Sequence, residues 1–255
     1  MNHLGKENSF SFQRTIHALN EGLKLIIRGG EMIMDIFEAM KKRHSVRRYV
    51  DKKIEDSIAN ELLAYIEECN QKSGMHIQLC LDEPNAFDSF MAHYGSFKNV
   101  KNYIAIVGKK GKDFEEQCGY WGEKVVLKAT QLGLNTCWVA LTFSKGKTVY
   151  QVEKGEKLCC VIALGYGETQ GVPHKNKPME SLCKTDRPVP EWFKRGMEAA
   201  LLAPTSLNQQ KFFFTLEGNT VTAKAGLGFY TKLDLGIVKA HFEMGAQDAA
   251  WQWNH

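Results

Sequence analysis

"LLAPTSLNQQKFFF", Leu201 to Phe214, joins a helical run to a strongly apolar strand across a single proline. Pro204 stops the helix, because it lacks an N–H and its ring clashes with the preceding turn. Thr205, Ser206, Asn208 and Gln209 then crowd into the loop before "KFFF". Local capping alone accounts for such a turn. The same groups can also present donors and acceptors to a planar, amide-like ring edge, since an Asn side chain does both at once.

The helix, loop and strand have a counterpart upstream. "DKKIEDSIANELLAYIEECNQKSGMHIQLCLDEPN" from Asp51 and "DRPVPEWFKRGMEAALLAPTSLNQQKFFFTLEGN" from Asp186 each run from an acidic residue through Ile or Val into a helix, a polar loop, an apolar strand and a turn. Identity is low, so chance similarity stays open beside two related halves, 32–150 and 151–255. Elsewhere the periodicity predicts helices over 32–43, 51–69, 113–133, 189–203 and 234–253. Strands are predicted at 75–82, 102–108, 135–143 and 157–167, with a hairpin over 211–226 turning at Glu217-Gly218-Asn219. Strands alternating with helices indicate an α/β or α+β protein.

Near the N-terminal end of this pattern, "KKRHSVRRYV" (41–50) sets Arg43, Ser45 and Arg47 at every second position, with His44 between. In an extended chain residues two apart share a face. Two guanidiniums and a hydroxyl then suit an anion with several oxygens, although a solvated basic helix end reads the same way.

Composition narrows the classes. Apolar residues at 44%, charged residues at 24% and a net charge of +4 suit a globular protein with an anionic small ligand, not a nucleic-acid-binding face. Seven cysteines, none in a Cys-x-x-Cys pair, indicate reduced thiols in the cytoplasm and no zinc site. No apolar run approaches a membrane span, and the first residues lack the basic-then-apolar layout expected of a secretory signal. "GYGETQG" (165–171) is one residue too long for a dinucleotide loop and is followed by prolines. "GKKGKD" (108–113) lacks the Gly-Lys-Ser/Thr ending of a phosphate loop, and no Gly-x-Ser-x-Gly elbow occurs. Residues 1–31 are polar with a weak helical pattern at 15–27, so we expect a poorly structured leader or extension, with translation starting at Met32 or Met34, or else a helix packing on the domain.

Four stretches together resemble the FMN-dependent nitroreductase family, across about residues 32 to 250. "RHSVRRY" resembles its Arg-x-Ser-x-Arg flavin-phosphate motif, and "LLAPTSLNQQKFFF" its Ala-Pro-Ser/Thr-x-x-Asn-x-Gln loop. "LGLNTCWVALTF" resembles the segment beside the flavin ring, and "VIALGYG…HKNKPMESL" the strand and basic loop nearer the C-terminus. The order departs from the family, whose Ala-Pro-Ser loop follows closely after the Arg-x-Ser-x-Arg helix. The resemblance is therefore to a divergent branch with rearranged motifs.

The resemblance implies an α+β fold, a mixed sheet flanked by helices, in one FMN-binding domain over 32–255. Arg43, His44, Ser45 and Arg47 would hold the phosphate and ribityl chain, with Lys175 and Lys177 adding charge. Pro204, Thr205, Ser206 and Asn208 would meet the pyrimidine edge or ribityl hydroxyls. A backbone amide near Ala140 or Leu141 would approach the flavin N5. The implied activity passes hydride from NAD(P)H through FMN to a nitroaromatic, quinone or similar small acceptor, with no catalytic side chain and no metal. A flavin-binding sensor or storage protein, and a flavin-destroying or dehalogenating relative, are the alternatives. The assembly would be a homodimer or a monomer whose halves form an internal pseudo-dimer.

Overall fold

The computed structural model describes residues 14–17, 24–28, 31–88, 95–247 and 249–254. Strands β1 (Arg14–His17), β2 (Lys24–Arg28) and β3 (Glu31–Met34) form an antiparallel sheet where the sequence shows a weak helical pattern. The rest of the expected leader lies outside the described residues. Met32 and Met34 thus belong to a strand, and helix α1 (Ile36–Lys42) starts only where Asp35 accepts the Phe37 N–H at 2.6 Å.

Helix α2 (Asp56–Ser73) closes at Gly74, whose φ of 70° supplies the left-handed cap. It leads into β4 (Gln78–Cys80), β5 (Asn102–Lys109), helix α3 (Phe114–Gln131), β6 (Asn135–Val139) and β7 (Glu156–Gly165). The four strands pair antiparallel in the order β4-β5-β7-β6. "NYIAIVG" and "LCCVIALG" are continuously apolar because this sheet is covered on both sides. Ile104, Ile106, Ile162 and Leu164 join one core cluster, while Tyr103, Ala105, Val107, Val161 and Ala163 join another with Phe87, Phe97 and Phe143. This sheet takes β7 from beyond residue 150, so it does not stop at the boundary expected between halves.

The second sheet has the order β11-β10-β9-β8, from β8 (Cys183–Thr185), β9 (Phe212–Glu217), β10 (Thr220–Ala225) and β11 (Gln252–Trp253). It is mixed: β9 and β10 are antiparallel, whereas β8 and β11 run parallel to their neighbours. Phe212, Phe214 and Leu216 face the core at every second position. Helices α4 (Glu191–Leu201) and α5 (Thr231–Gly245) belong to this half of the chain. The final helix is shorter than its periodicity predicts. It ends at Gly245; beyond it, Trp251 stacks on Trp192 at 5.9 Å between centroids, and Gln252–Trp253 add a strand to β10.

The two halves meet where α3 crosses α5. A Cβ on Gly119 would strike the Leu233 carbonyl oxygen, and one on Gly236 would strike that of Glu116. Residues 119 and 116 therefore pack against 233 and 236, the pattern of two antiparallel helices whose backbones touch. The α+β class is as expected, with helices flanking one antiparallel and one mixed sheet. No described helix is long and apolar enough to cross a membrane.

Candidate functional site

A cavity of about 660 Å³ opens between the β4-β5-β7-β6 sheet with residues 45–47 on one side and the chain from Pro204 into α5 on the other, within the roughly 300–1,000 Å³ range of small-ligand sites. Its first wall comprises Ser45, Arg47, β6 and the segment Ala140–Thr142. Residues 45–49 are extended because their backbone is paired on both sides. The Val46 N–H donates to the Thr136 carbonyl at 3.0 Å, and the Arg47 carbonyl accepts the Lys98 N–H at 3.0 Å. Alternation then sends Val46 into the core and leaves Ser45 and Arg47 exposed on the cavity. The Arg47 guanidinium lies 6.0 Å from the Phe97 ring centroid and enters no ion pair among the described residues.

Arg43 shares the alternation but not the cavity. At 5% exposed, it lies under the Leu202 carbonyl, which accepts from Nη2 at 3.5 Å, with Nε 3.8 Å from Glu123 Oε1. Burial lowers its pKa, and Glu123 opposes that shift. Glu123 is itself fully buried and accepts from Trp138 Nε1 at 2.8 Å and faces His241 Nε2 at 2.9 Å. The other ring nitrogen of His241 lies 3.0 Å from the Ala199 carbonyl, which can only accept. Nδ1 therefore carries a proton, and one more lies between Nε2 and Glu123. Trp138 lines the cavity, so this buried network fixes its first wall from behind.

The second wall is Pro204 to Leu207 with the start of α5. Leu207, Asn208 and Gln210 have φ of 51°, 52° and 45°, a left-handed conformation costing non-glycine residues of order 1–3 kcal/mol each. Side chains hold it. Gln210 N–H donates to Thr205 Oγ1 at 3.0 Å, and Asp234 accepts from the Ser206 N–H at 2.9 Å and Gln209 Nε2 at 2.7 Å.

Of the residues singled out in the sequence, Ser45, Arg47, Ala140, Leu141, Pro204, Thr205 and Ser206 meet on this cavity. Asn208, Lys175 and Lys177 stand off it. Asn208 Nδ2 donates to the Lys175 carbonyl at 2.8 Å, and Lys177 Nζ donates to the Gln209 and Gln210 carbonyls at 2.8 and 3.2 Å. These residues buttress the strained loop. His44 and Arg43 line a smaller cavity of about 190 Å³. Burial and the Arg43 charge lower the pKa of both His44 and His174. Burial likewise pushes the Cys137 thiol up, leaving it a poor nucleophile.

Trp138, Tyr230, Ile237 and Asp234, which no motif marks as site residues, also line the cavity. Asp234 carried a signal: with Val238 and His241 it recurs at helical spacing on an otherwise apolar face of α5. A carboxylate and an imidazole there must find buried partners.

The family described as "Putative TM nitroreductase" matches residues 35–246. A Thermotoga maritima structure described as a "putative nitroreductase" superposes with a TM-score of 0.62 at 24% identity, over 86% of this chain and 87% of that one. A Desulfovibrio desulfuricans "putative nitroreductase in complex with fmn" gives 0.48 at 19% identity, over 61% of this chain and 98% of that one. No curated protein matches the sequence.

Proposed function

The chain belongs to this nitroreductase family, and from that premise we propose that it is an FMN-dependent oxidoreductase. It would take electrons from NAD(P)H and reduce a small acceptor such as a nitroaromatic or a quinone. The carrying observation is the convergence of both halves on one cavity, with Ser45 and Arg47 on one wall and Thr205 and Ser206 on the other. The donor set fits the group. A guanidinium with no ion pair among the described residues, beside a hydroxyl, suits a phosphate, the two hydroxyls suit a ring edge or ribityl chain, and Trp138 and Ile237 offer apolar flanks.

FMN, when bound, supplies hydride acceptance and return at its N5. The protein's part is to bind and orient. Arg47 and Ser45 would grip the phosphate, and a backbone N–H of Ala140 or Leu141 would face N5. Arg43 acts through its charge from beneath the wall. Asn208, Lys175 and Lys177 keep the second wall in shape without touching the ligand. Leu207 at 98% and Phe229 at 85% exposed form an apolar mouth suited to a planar acceptor. All seven cysteines are unbridged, which supports a reducing compartment such as the cytoplasm. We read the reciprocal α3–α5 crossing as the mark of an internal pseudo-dimer.

The test is the visible spectrum of the purified protein, release and identification of its flavin, and NAD(P)H oxidation with an added acceptor. Arg47→Ala should weaken FMN about tenfold to a hundredfold, as expected for a lost charge-assisted contact of roughly 1.5–3 kcal/mol, and leave riboflavin nearly unchanged. Equal weakening of both ligands would remove Arg47 from the phosphate.

A further inference from the structure

The second wall holds a conformation that its own residues disfavour, so something outside the loop must over-determine it. Asp234 stands in that position. It lies in the first turn of α5, is 3% exposed, and lines the cavity. One carboxylate oxygen accepts the Ser206 N–H at 2.9 Å and the other accepts Gln209 Nε2 at 2.7 Å. These bonds bracket left-handed Leu207 and Asn208. Gln209 Nε2 also donates to the Phe229 carbonyl at 2.8 Å, so its amide cannot turn over without losing that bond.

We propose that Asp234 is the positioning residue of this cavity: its ionised carboxylate clamps the Thr205–Gln210 loop, and a ligand held by Thr205 and Ser206 needs that clamp closed. The identity of the ligand rests on the FMN reading; the clamp does not. A neutral carboxyl has one oxygen that donates, so protonation opposes at least one of two N–H donors.

The environment makes this titration accessible. Burial raises the Asp234 pKa from its ordinary value to about 6, opposed by Gln209 and then Ser206. Arg47, Cys137, Cys160 and Tyr230 share the cavity, and Lys211 Nζ lies with Gln209 Oε1 beside Gly228. None of them contributes to the shift. The sign follows from linkage. A raised carboxyl pKa gives stability that is complete below the unfolded value near 3.9 and is lost as pH rises through about 6. The clamp needs the form that the fold disfavours, so binding and stability oppose each other at this residue.

The experiment uses the full chain, ¹⁵N-labelled, with and without FMN. Without ligand, the Ser206 amide signal should titrate with a midpoint near pH 6 in the wild type and stay flat in Asp234→Asn. Gln209→Leu, which deletes one donor to the carboxylate, should raise the midpoint. With ligand, Asp234→Asn should bind FMN about tenfold more weakly at pH 7.5 yet melt at a higher temperature. Wild-type affinity should fall more steeply than that of the variant between pH 7.5 and 5; the phosphate titration of FMN is common to both proteins. A Ser206 amide that does not titrate, or wild-type affinity and pH dependence in Asp234→Asn, overturns the clamp. If neither protein binds FMN at any pH, the cofactor reading falls, and the Ser206 titration alone decides the clamp.

Discussion

The two walls of the cavity are held by different kinds of bond. On the first, backbone pairs with backbone: residues 45–49 run beside Thr136 and Lys98, and β6 is paired along its length with β7. On the second, three left-handed residues are kept in place by the side chains of Thr205, Gln209, Gln210 and Asp234. A wall made of backbone ladders tolerates changes in its exposed side chains. A wall made of side-chain bonds can be released one residue at a time.

The strongest way to break that contrast is to remove the buried support behind the first wall. Glu123→Ala leaves Arg43 and His241 without their carboxylate and Trp138 without its acceptor. Urea denaturation should show a loss of about 3–5 kcal/mol, the cost of breaking a buried ion pair from one side. A loss below 1 kcal/mol would mean that the network is not needed to hold the wall. Next in size is Gln209→Ala, which strips one donor from Asp234 and should cost roughly 1–3 kcal/mol. Its effect should be confined to hydrogen exchange in residues 205–210, whereas that of Glu123→Ala should spread through β6 and α3.

Acid sharpens the contrast in sign. His44 and His174 have lowered pKa values through burial and the Arg43 charge. A lowered histidine contributes stability that is present above its unfolded value near 6.5 and is lost as pH falls below it. Asp234 on the other wall works in the opposite direction. His174→Gln should therefore flatten the acid limb of a stability-versus-pH curve, and Asp234→Asn should steepen it over the same range. The smallest effect belongs to the surface. Glu168→Gln removes the exposed pairs to Arg48 and Lys98, and the melting temperature should not move measurably.

What the sequence revealed follows the same division. The strands expected at 102–108 and 157–167 and the hairpin turning at Gly218 are local patterns and form there, the second strand ending at Gly165; the helix expected over 51–69 forms four to five residues later, as α2. Alternation also puts Ser45 and Arg47 on one face, and both line the cavity. It could not show that Arg43, on the same face, is roofed by Leu202, a residue 159 positions away. The place of the basic loop is hidden for a related reason: Lys177 donates to the carbonyls of Gln209 and Gln210, which only the folded chain brings near it. The last helix ends sooner than its period predicts: "AAWQW" continues the apolar spacing, but those tryptophans go to stacking and a strand edge. Asp234 was legible as a carboxylate on an apolar helix face, but its partners lie 25 and 28 residues away.

Gly119 and Gly236 let α3 and α5 cross with backbones in contact, and both helices belong to one chain. Walls supplied by two separate chains would part on dilution, and the site would vanish by mass action. Walls tethered to each other keep an effective concentration of order millimolar or above, whatever the concentration of protein. An affinity measured at nanomolar protein should then equal one measured at micromolar. On the internal pseudo-dimer proposed above, a cell could keep this protein scarce without losing the fraction of it that is assembled.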